Sequence, residues 1–440
     1  MQENLKSAEI LQSNKKWIPG GVVSLNRKTD PDICFVKGRG SRVIDADGNE
    51  YIDYQAGFAA SFFGHNDEDV NKAVQNTILE QQVLMGAGPT LLEGTFAEMF
   101  CESVPGAESI QITTTGSEAT YHAIRLARAV TKRNHIIVMQ GGYNGWHNDV
   151  ACNVISTLES VGPYVSPGEY PFDSLSAGVP SAHSELIHIV NYNDLSSVSY
   201  VLEKYDVACI LLEPLLQNIG IVKPRPGYLE GLRELADKNG CLLVFDEVKT
   251  GFRHALGGYQ SMCGVIPDLS TFGKAVANGY PLGVIAGKKK YMDYFIHPEK
   301  QNRVLIAGTY NAFPLTTAAA IATLEKLKSP VHKVYEHVEK LGAVLEQGYQ
   351  EIFSKLDRPV YIARQGSAFC VYFMDHEPVS YHDILVNHDF DFDARYRKAL
   401  IKSGIYKFPA PIKQGSISFA HTAEDIGKTL EVTEQVLKQI

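Results

Sequence analysis

Apolar residues recur along the chain with two periods, and the exchange between those periods outlines an architecture. Residues 67–82, DEDVNKAVQNTILEQQ, repeat at helical spacing and put Val70, Ala73, Val74 and Ile78 on one face. A second helix is expected over Leu91–Ser103. Ahead of both, SRVIDADGNEYIDY (41–54) reads as two short strands joined by Asp47-Gly48, a strong hairpin signal. From Ser109 onward strands and helices alternate. Residues 109–133 give a short strand, a Thr/Gly/Ser turn and a helix, and 135–149 give a strand running into the glycine-rich loop GGYNGWHND. Asp206–Pro214 is a buried strand ending at Glu213. Gly227–Gly240 is a helix with Leu229, Leu232, Leu235 and Ala236 on its apolar face, and in Cys241–Val248 five apolar residues lead to Asp246 and Glu247. Such alternation implies an α/β fold with a mostly parallel sheet flanked by helices. Residues 150–186 are rich in Pro, Gly and Ser, lack periodicity, and are expected to form a lid or a partner-contacting loop. Past Gly308–Leu315 come helices over 315–327 and 331–353, short strands such as 367–373, and a closing helix. The expected organisation is a large domain over 57–320, with a smaller α+β domain built from 1–56 and 321–440.

Composition narrows the class. At 440 residues the chain is too long for one ordinary core. Its formal charge of −9 speaks against a nucleic-acid partner or an anionic-membrane anchor. No run approaches the roughly eighteen apolar residues of a membrane span, and the opening MQENLKSAEILQSNKK has no apolar core of a secretory signal. The seven cysteines are scattered without a C-x-x-C pair, a pattern of reduced thiols in a cytoplasm. A disulfide framework and a zinc site are not expected, nor any other metal.

Candidate chemistry centres on Leu269–Gly287, LSTFGKAVANGYPLGVIAG, whose single charge is Lys274. Apolar surroundings penalise an ammonium, so this lysine should favour the neutral amine that Schiff-base chemistry needs. Upstream, Thr115 and Glu118 have the spacing of a capping box, and the bare amides of the helix start at Gly116 and Ser117 form an anion site able to hold a phosphate. Tyr143 lies in the glycine-rich loop, where its ring could stack on a flat ligand. Asp246 falls at the carboxyl end of a strand, the edge at which open α/β sheets bind ligands. The chain has no G-x-G-x-x-G and no complete P-loop: the run from Gly283 to Gly287-Lys288 is one residue short and lacks the hydroxyl. An anion site, a stacking ring, a carboxylate and an amine are the four groups that pyridoxal phosphate asks for.

In these motifs the chain resembles a class III (ω-) aminotransferase of fold type I, and within it the branch of glutamate-1-semialdehyde 2,1-aminomutase. IPGGVVSLNR resembles that branch's PGGV-x-S-x-x-R, and TGSEATYHAIRLAR its SGTEATMxAIRLAR. GGYNGWHND resembles G-x-YHG-x-x-D, VFDEVKTGFR resembles FDEVxTGFR, and TFGKAVANGYPLG resembles the lysine motif. GTYNAFPL resembles GTxxxNPL, and FAHTAEDIGKTL the entry to the last helix. The resemblance implies that Lys274 is the Schiff-base lysine and that Asp246 pairs with the pyridine nitrogen. It implies Tyr143 and Val248 on the two ring faces, Gly116 and Ser117 on the phosphate, and Glu213 near the cofactor. It also implies a homodimer with shared active sites, Thr309 reaching the neighbour's phosphate, and Arg27 holding a substrate carboxylate.

Departures from the branch bear on substrate. Its PS-x-FEAGFxS becomes PAPIKQGSIS, so Lys413 stands in place of a glutamate, a charge reversal in the pocket. Phe58 replaces a tryptophan, GHxHP reads GHNDED, YHG has become YNG, and the Asn of GNPL is Phe313. These differences point to an aminotransferase that passes an amino group from an amino acid donor to a keto or aldehyde acceptor, with Arg27 and Lys413 suited to one or two anionic groups. An intramolecular aminomutase, or an amino-acid racemase or epimerase using the same site, is the alternative.

Overall fold

The computed structural model describes residues 5–86 and 88–440. It divides into two compact units. The first runs up to Glu68 and takes in Glu336–His376 and His388–Ile440; the second is Asp69–Tyr335 with Glu377–Asn387.

In the first unit, strands β1 (Phe35–Arg39), β2 (Arg42–Asp45) and β3 (Glu50–Asp53) form an antiparallel meander. The expected hairpin is there, with Gly48 at a φ of 86° in the turn that joins β2 to β3. Left-handed backbone at that point is open to glycine without a Cβ penalty.

The second unit holds the large sheet. Its strands are β4 (Ser109–Thr113), β5 (His135–Met139), β6 (Ile187–Val190), β7 (Val207–Leu212), β8 (Leu242–Glu247), β9 (Leu269–Phe272) and β10 (Gly283–Gly287). They are ordered β4-β10-β9-β8-β7-β5-β6, and only β10 runs against the rest. The six like-directed strands therefore present their carboxyl ends at one edge. Strands β7 and β8 are buried at every position, as expected of central strands covered on both faces. Helix Gly116–Thr131 lays Ala119, Ala123, Ile124, Leu126 and Ala127 on the sheet, and its start carries the expected capping box: Thr115 Oγ1 accepts from the Glu118 amide. Helix Pro314–Lys328 packs on Leu91–Ser103 and on the turn Lys274–Ala277, which places it in this unit.

The first unit closes with β11 (Tyr361–Gln365), β12 (Ala368–Tyr372) and β14 (Gly415–Ser416) in a second small sheet, while β13 (Ile405–Tyr406) joins β3 in parallel. The C-terminal helix is Ala423–Leu437.

One expectation is corrected. Helix Glu68–Leu79 buries Val70, Val74 and Thr77, while Ile78 is exposed. At 100° per residue, position 78 lies about 80° from position 70, at the rim of the stripe. Residues 150–186 are aperiodic but packed. Val150, Cys152, Val161 and Tyr170 join the core of the second unit, the Tyr170 amide donates to the Ile189 carbonyl at the sheet edge, and Asn153 and Asp173 are bonded to each other. Hydrogen bonds to an edge strand substitute here for internal periodicity.

In the first unit, buried Asp393 accepts from Arg397 Nε at 2.6 Å and from the Ile412 amide at 2.7 Å, and His388 Nε2 lies 3.3 Å away. Burial opposes the charged carboxylate, but Arg397 and these hydrogen bonds hold its pKa below the usual range. Stability from a lowered carboxylate pKa is present above the unfolded value near 4 and is lost as pH falls through the folded one. Asp393→Asn should cost about 3–5 kcal/mol by stranding Arg397 in the core. Denaturant unfolding followed from pH 7 to 3 should show the variant losing less than the wild type on acidification.

Candidate active site

Strand ends bring the candidate residues of the second unit together. Asp246 is the penultimate residue of β8, Glu213 directly follows β7, Lys274 follows β9 after Gly273, Tyr143 lies in the loop after β5, and Gly116 and Ser117 begin the helix after β4. All five strands deliver their loops to the same carboxyl edge.

Asp246 and Glu247 are neighbours on one strand, so the pleat turns them to opposite faces. Glu247 is spent on structure: its oxygens accept from the Tyr259 amide at 2.6 Å, from Thr250 Oγ1 at 2.9 Å and from the Gln260 amide at 3.1 Å. Asp246 is equally buried and accepts from Asn144 Nδ2 at 2.7 Å, the Val248 amide at 3.0 Å and Thr271 Oγ1 at 3.1 Å. Burial pushes its pKa up, and these donors with the charge of Lys274 pull the other way. Sequence reasoning missed Asn144, which read as a departure from YHG. Its role was visible only in its position beside Tyr143, since the partner is 102 residues away.

Lys274 opens a short 3₁₀ turn, and its φ of 50° puts a non-glycine residue in the left-handed region. Such strain persists where packing over-determines it, and Ala275, Val276 and Ala277 beside it are all buried. Lys274 itself is half-buried. Its pKa is lowered, first by desolvation; Asp246 and Glu213 oppose the shift, and Arg253 adds to it. The acidic partners missing from its own stretch thus arrive from β7 and β8.

Glu213 is buried and accepts the Tyr143 amide at 3.1 Å and the Gln217 amide at 3.0 Å. Burial raises its pKa; Lys249 draws it down and Asp246 adds to the rise. Tyr143 is half-buried.

The helix start abuts the turn after β8. A Cβ on Gly116 would lie 2.7 Å from Val248 Cγ1, and one on Gly273 would lie 3.3 Å from the same atom and 3.8 Å from the Gly116 Cα. A Cβ on Gly145 would fall 3.1 Å from Ser117 Oγ. Three glycines therefore let the first turn of Gly116–Thr131, the Tyr143 loop and the Lys274 turn close on one another. Glu118 takes up the capping contacts, and the amides of Gly116 and Ser117, at the head of the first turn, have no intrahelical acceptor.

Thr309 is exposed in the loop before Pro314. Arg27, Phe58 and Lys413 belong to the first unit. Arg27 is exposed, Lys413 is half-buried, and Phe58, with a φ of 59°, packs its ring 5.4 Å from that of Phe408. Among the described residues there is no cluster of three or more His, Cys, Asp or Glu placed to hold a metal ion, and no helix is long and apolar enough to cross a membrane.

The geometry fits pyridoxal phosphate on the protein's own terms: a half-buried amine of lowered pKa, a carboxylate that three donors orient, an open helix start, and glycine gaps a Cβ would fill. Comparison with known proteins agrees. The family model described as aminotransferase class-III matches residues 24–408. A glutamate-1-semialdehyde 2,1-aminomutase 2 of Brevibacillus brevis is 36% identical, over 99% of this chain and 98% of that one. A glutamate-1-semialdehyde 2,1-aminomutase of Methanosphaera stadtmanae is 35% identical over 99% of both. Among solved structures, an omega-transaminase from Sphaerobacter thermophilus superposes with a TM-score of 0.91 at 27% identity, covering 99% of this chain and 98% of that one.

The Gly116–Val248 contact gives a direct test of the packing. Gly116→Ala should destabilise the protein by about 1–3 kcal/mol through overpacking, and Val248→Ala in the same chain should recover most of the loss. Thermal unfolding of the two single variants and the double variant measures the coupling.

Proposed function

The chain belongs to the class-III aminotransferases, enzymes that work through pyridoxal 5′-phosphate, and from that premise we propose that it exchanges an amino group and a carbonyl on small carboxylate-bearing substrates, with Lys274 as its central group. When bound, the cofactor supplies an aldehyde for an amine to condense with and a ring that draws electron density from the substrate's Cα. The rest falls to this chain. Lys274, whose ammonium form is disfavoured by desolvation, would hold the cofactor covalently through its amine and would carry the proton to and from the substrate's Cα. Asp246 keeps a ring N–H in place, oriented by Asn144 and Thr271. The amides of Gly116 and Ser117 and the Ser117 hydroxyl take the phosphate, Tyr143 and Val248 take the two ring faces, and Glu213 supports the Tyr143 loop.

The observation that carries this reading is the placement of Lys274 just after β9, beside the buried, triply bonded Asp246 on the adjacent strand. We take the second unit as the cofactor domain and the first as the smaller domain, and we assign Arg27, Phe58 and Lys413, all in the first unit, to substrate recognition. The exposed Thr309 suits a homodimer in which each site borrows that residue from its neighbour. A cytoplasmic location fits the scattered cysteines, all of which are free.

Curated relatives at 34–36% identity over nearly their whole lengths carry the name glutamate-1-semialdehyde 2,1-aminomutase, which favours the intramolecular reading: the amino group moves between neighbouring carbons of one molecule. Transfer from a separate amino acid donor to a separate keto or aldehyde acceptor is the second reading. It is favoured by Lys413 where that branch carries a glutamate.

Loaded with pyridoxal phosphate, the protein should absorb in the visible, and borohydride should then fix the cofactor's mass to the peptide containing Lys274. Lys274→Ala should lose the fixed mass and at least roughly 10³-fold in turnover. Glutamate-1-semialdehyde offered alone should give its exchanged isomer if the first reading holds. A requirement for donor and acceptor together, with a keto product, would select the second. A wild type that ignores the cofactor would refute both.

A further inference from the structure

A second polar chain at this site brings in Lys249, Gln217 and Asn218, which have no part in the roles assigned above. Lys249 Nζ donates to the Gln217 carbonyl at 2.8 Å, and the Gln217 amide donates to one oxygen of Glu213 while the Tyr143 amide donates to the other. Asn218 Nδ2 donates to the Gly141 carbonyl at 3.1 Å. The segment from Glu213 to Asn218 thereby ties two pieces of the site together. One is the end of β8 and the turn after it, which carry Asp246, Val248 and Lys249; the other is the loop that carries Tyr143.

The tie needs Glu213 as an anion. A carboxylate accepts two amides, whereas a protonated carboxyl turns one oxygen into a donor that faces an N–H. Burial favours that protonation, and so does Asp246. The charged groups that face Glu213 are Lys249, Asp246 and Lys274, and the phenol of Tyr192 also feels its charge. Gln217 leads on to His254, its Nε2 at 2.9 Å, but burial pushes that imidazole down to about 3 and leaves it neutral. Arg253 bears on Lys274 and on His254. Lys274 cannot serve as a standing counter-ion, because its chemistry requires an uncharged amine. Lys249 lies outside that chemistry and is half-buried, its Nζ fixed on the Gln217 carbonyl.

We propose that Lys249 is a positioning residue: it keeps Glu213 ionised while Lys274 is neutral, and so holds the Tyr143 loop against the Asp246–Val248 turn where the cofactor binds. This rests on the assignment of Lys274, Asp246 and Tyr143 to the cofactor.

The test is pyridoxal phosphate affinity of the full-length apoprotein, read by quenching of intrinsic fluorescence from pH 6 to 9, with each variant's Kd expressed as a ratio to wild type. In Lys249→Met, Glu213 should take up a proton as pH falls, so the ratio should reach roughly tenfold at pH 6 and approach one at pH 9. Lys249→Arg should track the wild type. Adding Glu213→Gln to Lys249→Met should leave the ratio flat with pH. Superimposable curves for Lys249→Met and wild type overturn the proposal. So does an equal weakening at every pH, or a failure of arginine to rescue, since either reduces Lys249 to packing. A wild type that binds no pyridoxal phosphate instead removes the parent assignment.

Discussion

Burying negative charge beside a lysine at the carboxyl edge of the sheet is the constraint on which the second unit depends. Asp246 and Glu213 sit at the ends of adjacent strands, both almost free of solvent, and each is pushed toward protonation by burial. A buried carboxylate is tolerated only when its oxygens find donors. The loops around the edge supply them: Asn144 from the loop after β5, Thr271 from β9, and backbone amides from the turns that follow β7 and β8. The loop conformations thus follow largely from the need to satisfy two carboxylates. Lys274 receives the resulting field, which opposes its loss of charge without reversing it.

Strain belongs to the same arrangement. Lys274 occupies the left-handed region, and Gly273 before it is fully extended at a φ of −176°. A β-strand therefore ends in one step, and the lysine turns back into the edge of the sheet. Left-handed backbone at a non-glycine residue costs of order 1–3 kcal/mol. The buried Ala-Val-Ala that follows, covered by helix Pro314–Lys328, holds it there. Small residues at those positions are a packing requirement of the site.

Much of this was legible in the sequence because the strands announce themselves by apolar runs and their ends by the first polar residue. Asp246 and Glu213 each terminate such a run, Lys274 is the single charge of its stretch, and Thr115 and Glu118 mark a helix start without reference to anything distant. What the sequence concealed was pairing across the fold. Nothing local separates Asp246 from Glu247; the pleat assigns one to the site and the other to Tyr259 and Gln260. Asn144 looked like a lapse from a motif until its partner on another strand was in view. Residues 150–186 looked unstructured because their order comes from the edge of β6 and from Asn153–Asp173, neither of which leaves a periodic trace.

The same physics separates the buried centre from the groups proposed to meet the substrate. Asp246 accepts from three donors, so a change at Asp246 or Asn144 strands a partner where water cannot replace it. Arg27 is exposed and Lys413 is half-buried. A charge with access to water can be reversed for little cost in folding, yet it alters which anion is attracted or repelled. Lysine at 413, where the aminomutase branch carries glutamate, is therefore the kind of change the protein can carry without disturbing Lys274.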